Sequence, residues 1–538
     1  MLRAPVRWVS VALLLVLVGS CSDQRTPQAT SPYDPVLSAT ARDGSIVVDL
    51  GGKTRPFDRR LLGTNAPAWI GPAKLADVNF QQRIRDLGTT VVRMPGGSWS
   101  SSYDWLACEN GDANGCYWTW AAKPTDYVGF LAATGLDGMW TADFNGTAQE
   151  AAALVAFFNA SVDDKRVIGV DRRGKDWGTV GQWATLRSEH GHRDPQPIKY
   201  WEIGNEVYGA KADKAPGCAS FGWEDVWTCD GTAYVNGDDQ HDGFLKFRGA
   251  MRAVDPNILV GAVGIGGHQG DWGGFGNKVI EGAGDALDFY IVHDYGFNNR
   301  PSIDAVLRRP QDSWPDVMRR VRAGLDEQNP TRAVPVAITE YNLFAFADGD
   351  TSGMMSESIN ALYIADTIGQ MAEQGATFAN QWNLVNGATA SGSDYGLLDP
   401  DTSEPKPQFY ALALWSSFGD ELLPVSVGFD TKTTLSAYAG RGKDGKLTLM
   451  VVNKTDAAQP VSIQFNGATA SYTAKQDVLT TTALDATRVT YNGTTGTVSN
   501  LASLPARDLG SVTAGAMTHS FDPFSITLLQ LVPNAIAS

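Results

Sequence analysis

Short apolar runs alternate with helix-like runs between residues 57 and 418. The apolar runs are rich in β-branched and aromatic residues, which favour strands. They are LLGTN at 61–65, TTVVRM at 89–94, DGMWTAD at 137–143, IKYWEIGN at 198–205, ILVGAVG at 258–264, DFYIVH at 288–293, VPVAITE at 334–340 and ATFANQW at 376–382. Runs with apolar residues at helical spacing lie between most of them, for example at 147–160, 302–325 and 356–374. Eight strands, each followed by room for a helix, predict an α/β fold, namely a (β/α)8 TIM barrel with insertions over residues 57–418.

A doubly wound open sheet is the alternative fold for alternating strands and helices. Such a sheet more often carries a glycine-rich phosphate loop after its first strand. The glycine-rich stretch GIGGHQGDWGGFG at 264–276 lacks that context and indicates an ordinary loop. The pattern therefore favours the barrel.

Beyond residue 419 the pattern changes to short alternating segments separated by Gly, Asn and Asp. Among them are KLTLMVVNKT, VSIQFNG, ATASYTAK, TRVTYNG and FSITLLQL. Alternation with a period of two, interrupted by turn residues, is typical of antiparallel strands. Residues 419–538 are therefore predicted to form a C-terminal antiparallel β-sandwich. The segment 42–56 contains the early strand SIVVDL, which we expect to join that sandwich.

Residues 1–21 have the pattern of a secretory signal. Arg3 and Arg7 precede an apolar run at 9–18, which is too short to cross a bilayer. The VGSC that ends this segment resembles a bacterial lipobox, which implies cleavage before Cys21 and lipid attachment to its thiol; an ordinary signal peptide with a chance cysteine is the alternative. The polar residues 22–41 indicate a flexible linker. We expect an exported bacterial lipoprotein, at the cell surface or on the periplasmic face of a membrane, held by lipid rather than by a helix.

The four remaining cysteines are Cys108, Cys116, Cys218 and Cys229. In an oxidising compartment they predict two disulfides, and pairing within each sequence-local pair is one of three possible connectivities. A zinc site is the weaker alternative, because the chain has no C-x2-C spacing and no nearby His pair.

The charge balance bears on the ligand. The chain has 43 Lys+Arg against 59 Asp+Glu and a formal net charge of −16, which argues against a nucleic-acid partner because phosphate binding needs a basic face. An aromatic content of 10% fits sugar recognition without establishing it.

Two glutamates lie where a barrel places its chemistry. Glu206 follows the fourth predicted strand, and Glu340 ends the seventh. The carboxyl ends of barrel strands share one rim, so the two side chains can face each other there. Paired carboxylates are what glycosidic cleavage needs, one as acid and base and the other as nucleophile or activator of water. The alternative is that each glutamate ends a strand by chance or caps a neighbouring helix.

The motifs around these glutamates resemble a known group of enzymes. WEIGNE at 201–206 and ITEYN at 338–342 resemble the acid/base and nucleophile motifs of clan A retaining glycoside hydrolases. VVRMPGGSWSSSYDW at 91–105 is similar to a segment of family 51, the α-L-arabinofuranosidases, and the resemblance extends over about residues 45–532. The chain departs from that family at 339–342, where TEYN replaces the common Asp-Glu-Trp-Asn. The endo-acting families 44 and 39 share parts of the same motifs.

The resemblance implies roles for individual residues. Glu206 would be the general acid/base and Glu340 the nucleophile, with net retention of configuration. Asn205 would hydrogen-bond the sugar hydroxyl beside the anomeric carbon, or else satisfy backbone groups at the strand end. Arg93 would hydrogen-bond the nucleophile, or else form a structural ion pair.

Four further residues end strands at the same rim. His293 and Tyr295 match a His-x-Tyr pattern in which Tyr contacts the nucleophile and His contacts the sugar or the acid/base, and Asp294 between them is an alternative orienting group. Trp382 ends the eighth strand and is expected to form the floor of the sugar site, because aromatic rings pack on the apolar faces of sugars; packing at the barrel rim is the alternative. Asn65 ends the first strand and is a further candidate for substrate binding.

Two insertions are rich in aromatic residues and follow the second and fourth strands. They contain Trp99, Tyr103, Trp105, Tyr117, Trp118, Trp120, Trp223 and Trp227. We expect them to form outer sugar subsites or a wall of the pocket; packing of long loops is the alternative.

The combined expectation is a retaining glycoside hydrolase that acts on a polysaccharide or oligosaccharide. An α-L-arabinofuranosidase-like exo enzyme is the first choice, and an endo-β-glycanase of the glucanase, xylanase or xyloglucanase type is the second. A non-catalytic sugar-binding surface lipoprotein would be favoured by loss of either glutamate, and both are present. The mechanism requires no metal or organic cofactor, and the sequence shows no compelling ligand cluster. Carbohydrate is the expected partner, and the lipid anchor is the only expected membrane contact.

Overall fold

A computed structural model describes residues 41–217, 222–266, 274–329, 332–496, 500–513 and 515–534. Cys21 and Cys218 lie outside the described residues, so the predictions of a lipid anchor and of a second disulfide stay predictions. Within the described part of the chain, no helix combines the length and the apolar character that a membrane span requires.

The strands and helices have the following bounds. The strands up to the end of the barrel are β1 (Ser45–Asp49), β2 (Arg55–Pro56), β3 (Gly63–Asn65), β4 (Val91–Met94), β5 (Asp137–Ala142), β6 (Tyr200–Ile203), β7 (Leu259–Val263), β8 (Phe289–Phe297), β9 (Val336–Phe344) and β10 (Phe378–Gln381). The later strands are β11 (Glu421–Leu423), β12 (Val425–Val427), β13 (Leu435–Arg441), β14 (Leu447–Asn453), β15 (Gln459–Asn466), β16 (Tyr472–Thr480), β17 (Thr490–Tyr491), β18 (Thr494–Thr495), β19 (Arg507–Val512), β20 (Ala516–Phe521) and β21 (Ser525–Pro533). The helices are α1 (Gly71–Leu75), α2 (Val78–Leu87), α3 (Trp105–Asn110), α4 (Pro124–Thr134), α5 (Ala148–Asn159), α6 (Val180–Glu189), α7 (Gly231–Asn236), α8 (Phe244–Val254), α9 (Phe275–Ala283), α10 (Ile303–Gln328), α11 (Ser358–Glu373) and α12 (Pro407–Ser416).

The eight predicted strands close into a parallel barrel in chain order, from β3 to β10, with β10 pairing back on β3. A layer of buried apolar side chains from six of these strands packs together, namely Val91, Met139, Tyr200, Phe289, Ile291, Ala337 and Phe378. Such a packed interior leaves the strand ends and their loops as the place for a binding site. The predicted fold class, a TIM barrel with a C-terminal β-sandwich, is confirmed.

Helix α5 shows how the sequence sets the outer layer. Thr147 accepts a hydrogen bond from the backbone N–H of Glu150, and the Glu150 carboxylate accepts one from the N–H of Thr147. This capping box satisfies backbone donors that the first helical turn leaves free. The apolar residues that follow are almost all buried against the barrel and its neighbours.

Two barrel strands are longer than the sequence indicated. Strand β8 continues to Phe297 and β9 to Phe344, because the two strands stay paired beyond the rim, with Tyr295 opposite Asn342 and Phe297 opposite Phe344. Glu340 therefore lies inside β9 rather than at its end, which corrects the expected position. The longer pairing gives the side chains of this part of the rim a rigid backbone.

The sandwich consists of two sheets. One has the strand order β12-β1-β15-β20, and the other has the order β18-β17-β16-β21-β14-β13-β11-β2, with β19 pairing to β16. Strand β1 pairs with β15 in parallel and with β12 in antiparallel orientation, so the early strand lies in the sandwich. Alternate residues of β15, including Val461, Ile463 and Phe465, are buried in the core between the sheets.

A buried ion pair joins the barrel to the sandwich. Lys454, which follows β14, donates from Nζ to Oδ2 of Asp366 on α11 at 2.7 Å, and both side chains are 1% exposed. The other oxygen of Asp366 accepts hydrogen bonds from Ser436 and Tyr438 of β13 at 2.6 and 2.5 Å. The sandwich thus supplies a charge and two hydroxyl donors to one carboxylate of the barrel.

Candidate active site

Glu206 lies just beyond β6, at the start of a short helical turn. Its backbone is left-handed, with φ 41° and ψ 37°, which is uncommon for a residue with a side chain and costs conformational energy. The carboxylate accepts a hydrogen bond at Oε2 from the indole N–H of Trp223 at 2.6 Å. Oε1 accepts one from the hydroxyl of Tyr208 at 3.3 Å and lies 2.9 Å from Nδ1 of His293. These contacts fix the direction of the carboxylate.

Glu340 points from β9 into the same space. Its Oε1 accepts a hydrogen bond from Nη1 of Arg93 at 2.8 Å, and its Oε2 accepts one from the hydroxyl of Tyr295 at 2.6 Å. The residue is 5% exposed. A cation on one oxygen and a strong hydroxyl donor on the other thus fix the direction of this carboxylate.

The two carboxylates converge. One carboxylate oxygen of Glu206, one of Glu340 and one ring nitrogen of His293 all lie within 4.8 Å of one another. Nδ1 of His293 is 2.9 Å from Oε1 of Glu206 and 3.7 Å from Oε2 of Glu340. The structure thus brings together the three residues that the sequence placed on separate strands.

Arg93 is completely buried and joins several polar groups. Besides Glu340 it donates to Oε2 of Glu202 from Nε at 2.5 Å and to Oδ1 of Asn205 from Nη2 at 2.7 Å. Oδ1 of Asn65 accepts a further hydrogen bond from Nη1 at 3.0 Å. Arg93 therefore organises the site from beneath and does not face the substrate space.

Asn65 is one predicted binding residue that the structure places elsewhere. It is 0% exposed, and its amide nitrogen donates to the backbone oxygens of Thr339, Asn380 and Gln381 while its oxygen accepts from Arg93. A side chain enclosed in this way does not contact a sugar. The expectation of substrate binding is wrong, and Asn65 instead holds Arg93 in place.

Proton positions follow from a chain of hydrogen bonds at His293. The hydroxyl of Thr339 has one proton and donates it to Oε1 of Glu202 at 2.7 Å, so it accepts from Nε2 of His293 at 2.9 Å. With Nε2 protonated, Nδ1 and Oε1 of Glu206 share one further proton between them. A proton therefore lies between Nδ1 of His293 and Oε1 of Glu206.

The pKa shifts of His293 and Glu206 indicate on which of the two residues that proton lies. Burial lowers the pKa of His293, but the charge of Glu340 and the hydrogen bond and charge of Glu206 raise it above its ordinary value. Burial raises the pKa of Glu206, but the hydrogen bond and charge of His293 and the hydrogen bond from Trp223 bring it below its ordinary value. The two shifts are opposite in direction, and both favour the proton on the His293 side of this contact.

Burial and the charge of Glu340 raise the pKa of Tyr295 well above its ordinary value, so its hydroxyl stays protonated and continues to donate. Asp294 between these two residues is 1% exposed and projects to the opposite face of β8, as the alternation along a strand requires. The His-x-Tyr spacing, rather than Asp294, supplies the partners of the two glutamates.

Sequence reasoning missed Glu224. This residue is 0% exposed, and its Oε1 accepts hydrogen bonds from Oγ of Ser98 at 2.6 Å and from the amide nitrogen of Asn205 at 2.9 Å. Burial and the charges of Glu206 and Glu340 raise its pKa to about 8, against the lowering effect of these hydrogen bonds. Asn205, itself 1% exposed, is thus held between Arg93 on one side and Glu224 on the other.

Glu206, His293 and Glu340 line a cavity of about 570 Å³. Its walls are formed by Gly97, Ser98, Asn205, Glu206, Tyr208, Trp223, His293, Tyr295, Asn298, Glu340, Ala345, Phe346 and Trp382. Gly97 has φ 64°, and a Cβ there would overlap the indole of Trp382. Gly97 of the Pro-Gly-Gly segment therefore makes room for Trp382, the aromatic residue that the sequence predicted at this position.

A metal ion is disfavoured at this cluster. Glu206, His293 and Glu340 are close enough together to hold one. However, the donors Trp223, Arg93 and Tyr295 already point at the two carboxylates. Each carboxylate therefore already accepts at least one hydrogen bond from a fixed donor, an arrangement that suits proton transfer better than metal binding.

Some aromatic residues of the two predicted insertions pack away from the site, and others contact it. Tyr103 and Trp105 are 3% exposed and pack in the core, and Trp227 stacks on His241 with ring centroids 4.3 Å apart. Trp223, in contrast, contacts Glu206. The predicted disulfide between Cys108 and Cys116 is confirmed and closes a short loop in the first insertion.

Comparisons with known proteins agree with this fold. No family model matches the chain. The probable α-L-arabinofuranosidase C of Aspergillus fumigatus is 25% identical over 138 residues, which are 24% of this chain and 24% of that protein. The chain thus spans about a quarter of the length of this curated relative.

Solved structures share the whole architecture. The family 51 α-L-arabinofuranosidase of Thermotoga petrophila has a TM-score of 0.67 at 20% identity, over 90% of this chain and 99% of that one. A family 44 xyloglucanase of Paenibacillus polymyxa has a TM-score of 0.58 at 14% identity, over 91% and 100%. The fold is therefore shared with solved glycoside hydrolases of families 51 and 44, which confirms the resemblance to them.

Proposed function

We propose that the protein is a retaining glycoside hydrolase with Glu206 as general acid/base and Glu340 as nucleophile. The observation that carries this proposal is the separation of the two carboxylates, which bring oxygens within 4.8 Å of each other. Retaining enzymes have carboxyls about 5–5.5 Å apart, whereas inverting enzymes need about 6.5–9.5 Å to admit a water molecule.

In the first step a carboxylate oxygen of Glu340 attacks the anomeric carbon, and the bond from that carbon to the leaving oxygen breaks. Glu206 gives the leaving oxygen a proton, which reaches it from Nδ1 of His293 along the 2.9 Å contact. The products of this step are a glycosyl ester on Glu340 and the free alcohol. Tyr295 and Arg93 remain beside the ester oxygens.

In the second step Glu206 removes a proton from water, and the resulting hydroxide oxygen attacks the anomeric carbon while the ester bond to Glu340 breaks. Forming the ester removes the negative charge of Glu340, and this charge is one cause of the raised pKa of His293. The pair of His293 and Glu206 therefore binds its proton less tightly in the intermediate, which suits the change of Glu206 from acid to base.

The substrate we propose is an α-L-arabinofuranoside within an oligosaccharide or polysaccharide, supported by the relatives of this type. Endo-β-glycanase action is the second candidate, and the observation that favours it is the shared fold with a xyloglucanase, over nearly all of both chains. Export and lipid attachment at Cys21 complete the proposal.

The test is a panel of aryl glycosides and plant and bacterial polysaccharides with wild type, Glu206→Ala, Glu340→Ala and the exposed control Glu281→Ala. Both active-site variants should lose at least about 10³-fold in kcat on substrates with poor leaving groups, while the control keeps wild-type activity. Azide should restore activity with retained configuration in Glu206→Ala and with inverted configuration in Glu340→Ala. Full activity in either active-site variant would refute the assignment.

A further inference from the structure

A row of aromatic rings leads from the cavity to the surface. Trp382, in the cavity wall, contacts Trp69 with ring centroids 5.8 Å apart, and Trp69 contacts Trp99 at 5.0 Å. Trp99 stacks face to face on Trp118 at 3.8 Å and meets the edge of Trp120 at 5.7 Å. The indoles thus form a continuous series from the candidate catalytic centre outward.

The outer members of this series are exposed. Trp120 is 58% exposed, and Tyr117, which packs edge-on against Trp118, is 81% exposed. Packing of the loop explains Tyr103 and Trp105 of the same insertion, which are buried, but it does not explain two large rings left in water. Exposed aromatic clusters of this kind mark binding surfaces.

The loop that carries these rings is held in place. The disulfide of Cys108 with Cys116 ends directly before Tyr117. The N–H of Ala122 donates to the backbone oxygen of Ala68 at 2.8 Å, and the hydroxyl of Tyr103 donates to the backbone oxygen of Ala122 at 2.6 Å. A surface fixed before binding loses little conformational entropy when a ligand arrives.

The chemistry of the rings identifies the ligand. Among the described residues, no Lys or Arg is placed over the rings of Trp99, Tyr117, Trp118 or Trp120. Such aromatic faces suit the apolar faces of sugar rings. Stacking of nucleic-acid bases would require a basic groove for the phosphates, and the chain carries a net charge of −16.

We propose that Tyr117, Trp118 and Trp120, with Trp99, form an outer binding surface for an uncharged polysaccharide chain whose scissile bond lies in the cavity. This proposal rests on the proposed glycoside hydrolase function and extends it, since it makes the natural substrate a polymer rather than a short oligosaccharide. The surface contributes binding energy at sugar units remote from the bond that breaks.

The experiment compares Tyr117→Ala and Trp120→Ala with the matched variant Trp120→Phe, which keeps an aromatic ring. On the polysaccharide that wild type cleaves best, the alanine variants should lose about tenfold in kcat/KM, chiefly through KM, and the phenylalanine variant should lose much less. On a short aryl glycoside all three variants should match wild type. Equal losses on both substrates, or no loss on the polymer, would overturn the proposal.

Binding is measured separately by affinity electrophoresis through gels that contain the polysaccharides of the panel, with Glu340→Gln as the background so that no turnover occurs. Retardation in at least one gel that Trp120→Ala abolishes supports the surface, even if the proposed reaction fails. Retardation that neither Tyr117→Ala nor Trp120→Ala reduces refutes the proposed surface. A dimer in sedimentation that Trp120→Ala converts to a monomer also refutes it, because the rings would then bind a second copy of the chain.

Discussion

The guanidinium of Arg93 donates a hydrogen bond to Glu340 at 2.8 Å while its Nε donates to Glu202 at 2.5 Å. One buried cation therefore lies between two buried carboxylates. Its planar guanidinium donates hydrogen bonds to both carboxylates and to Asn205 in one fixed geometry. A single ammonium group cannot reproduce this geometry. The position of the proposed nucleophile thus depends on a residue that does not face the substrate.

Two substitutions of Arg93 distinguish the effect of its positive charge from the effect of its planar hydrogen-bonding geometry. In Arg93→Met the carboxylates of Glu202 and Glu340 lose their cation, and we expect the free energy of unfolding to fall by about 3–5 kcal/mol and kcat to fall strongly. Arg93→Lys restores the charge without the planar fork, so it should recover much of the stability and little of the kcat. Denaturant titration and kinetics on an aryl glycoside measure the two effects. Equal recovery of kcat and stability in Arg93→Lys would contradict the geometric role.

Tyr295→Phe removes the hydroxyl that donates to Oε2 of Glu340 at 2.6 Å and leaves the ring in place. A hydrogen bond to a charged group contributes about 1.5–3 kcal/mol, so kcat/KM should fall at least about tenfold. The matched control is Tyr395→Phe, which removes a hydroxyl bonded to the backbone oxygen of Ala345. Steady-state kinetics should show little change in this control. A similar loss in both variants would mean that the rim merely loses order.

The sequence predicts the barrel and the two central glutamates well because both leave local signals. Each barrel strand is a short apolar run, and a glutamate directly beside such a run is conspicuous. Strand lengths were less predictable, since β8 and β9 extend through pairing with each other above the rim.

Asn65 and Glu224 show where local signals end. Asn65 ends its predicted strand as Asn205 does, yet it does not line the cavity, because Arg93 and three backbone oxygens enclose it. Glu224 reaches the site only because its insertion folds back, so that its backbone N–H donates to the oxygen of Gly209 at 2.9 Å. Such positions depend on tertiary contacts that no sequence period encodes.

The raised pKa of Glu224, about 8, predicts a specific pH dependence of stability. In the unfolded chain this carboxyl has a pKa of about 4.3, so between about pH 4.3 and 8 the folded state binds one proton more than the unfolded state. The contribution of Glu224 to stability is therefore full below about pH 4.3 and is lost as the pH rises toward 8.

Glu224→Gln keeps the shape and cannot titrate, so the difference in unfolding free energy between wild type and this variant should shift in favour of the variant as the pH rises from 5 to 8. Urea titrations at several pH values measure this difference, which removes the effect of titrating groups that do not interact with Glu224. If the unfolding free energies of wild type and variant change in parallel between pH 5 and 8, Glu224 is already ionised at pH 5.

The buried pair of Lys454 and Asp366 predicts that the sandwich stabilises the barrel through one carboxylate. Lys454→Met leaves the charge of Asp366 with hydroxyl and amide donors only, from Ser436, Tyr438 and Gln311. The free energy of unfolding should fall by about 3–5 kcal/mol. In the double variant Lys454→Met with Asp366→Asn, no buried charge remains, and much of that loss should be regained. A double variant as unstable as the sum of two costly single changes would show instead that the pair acts through packing alone.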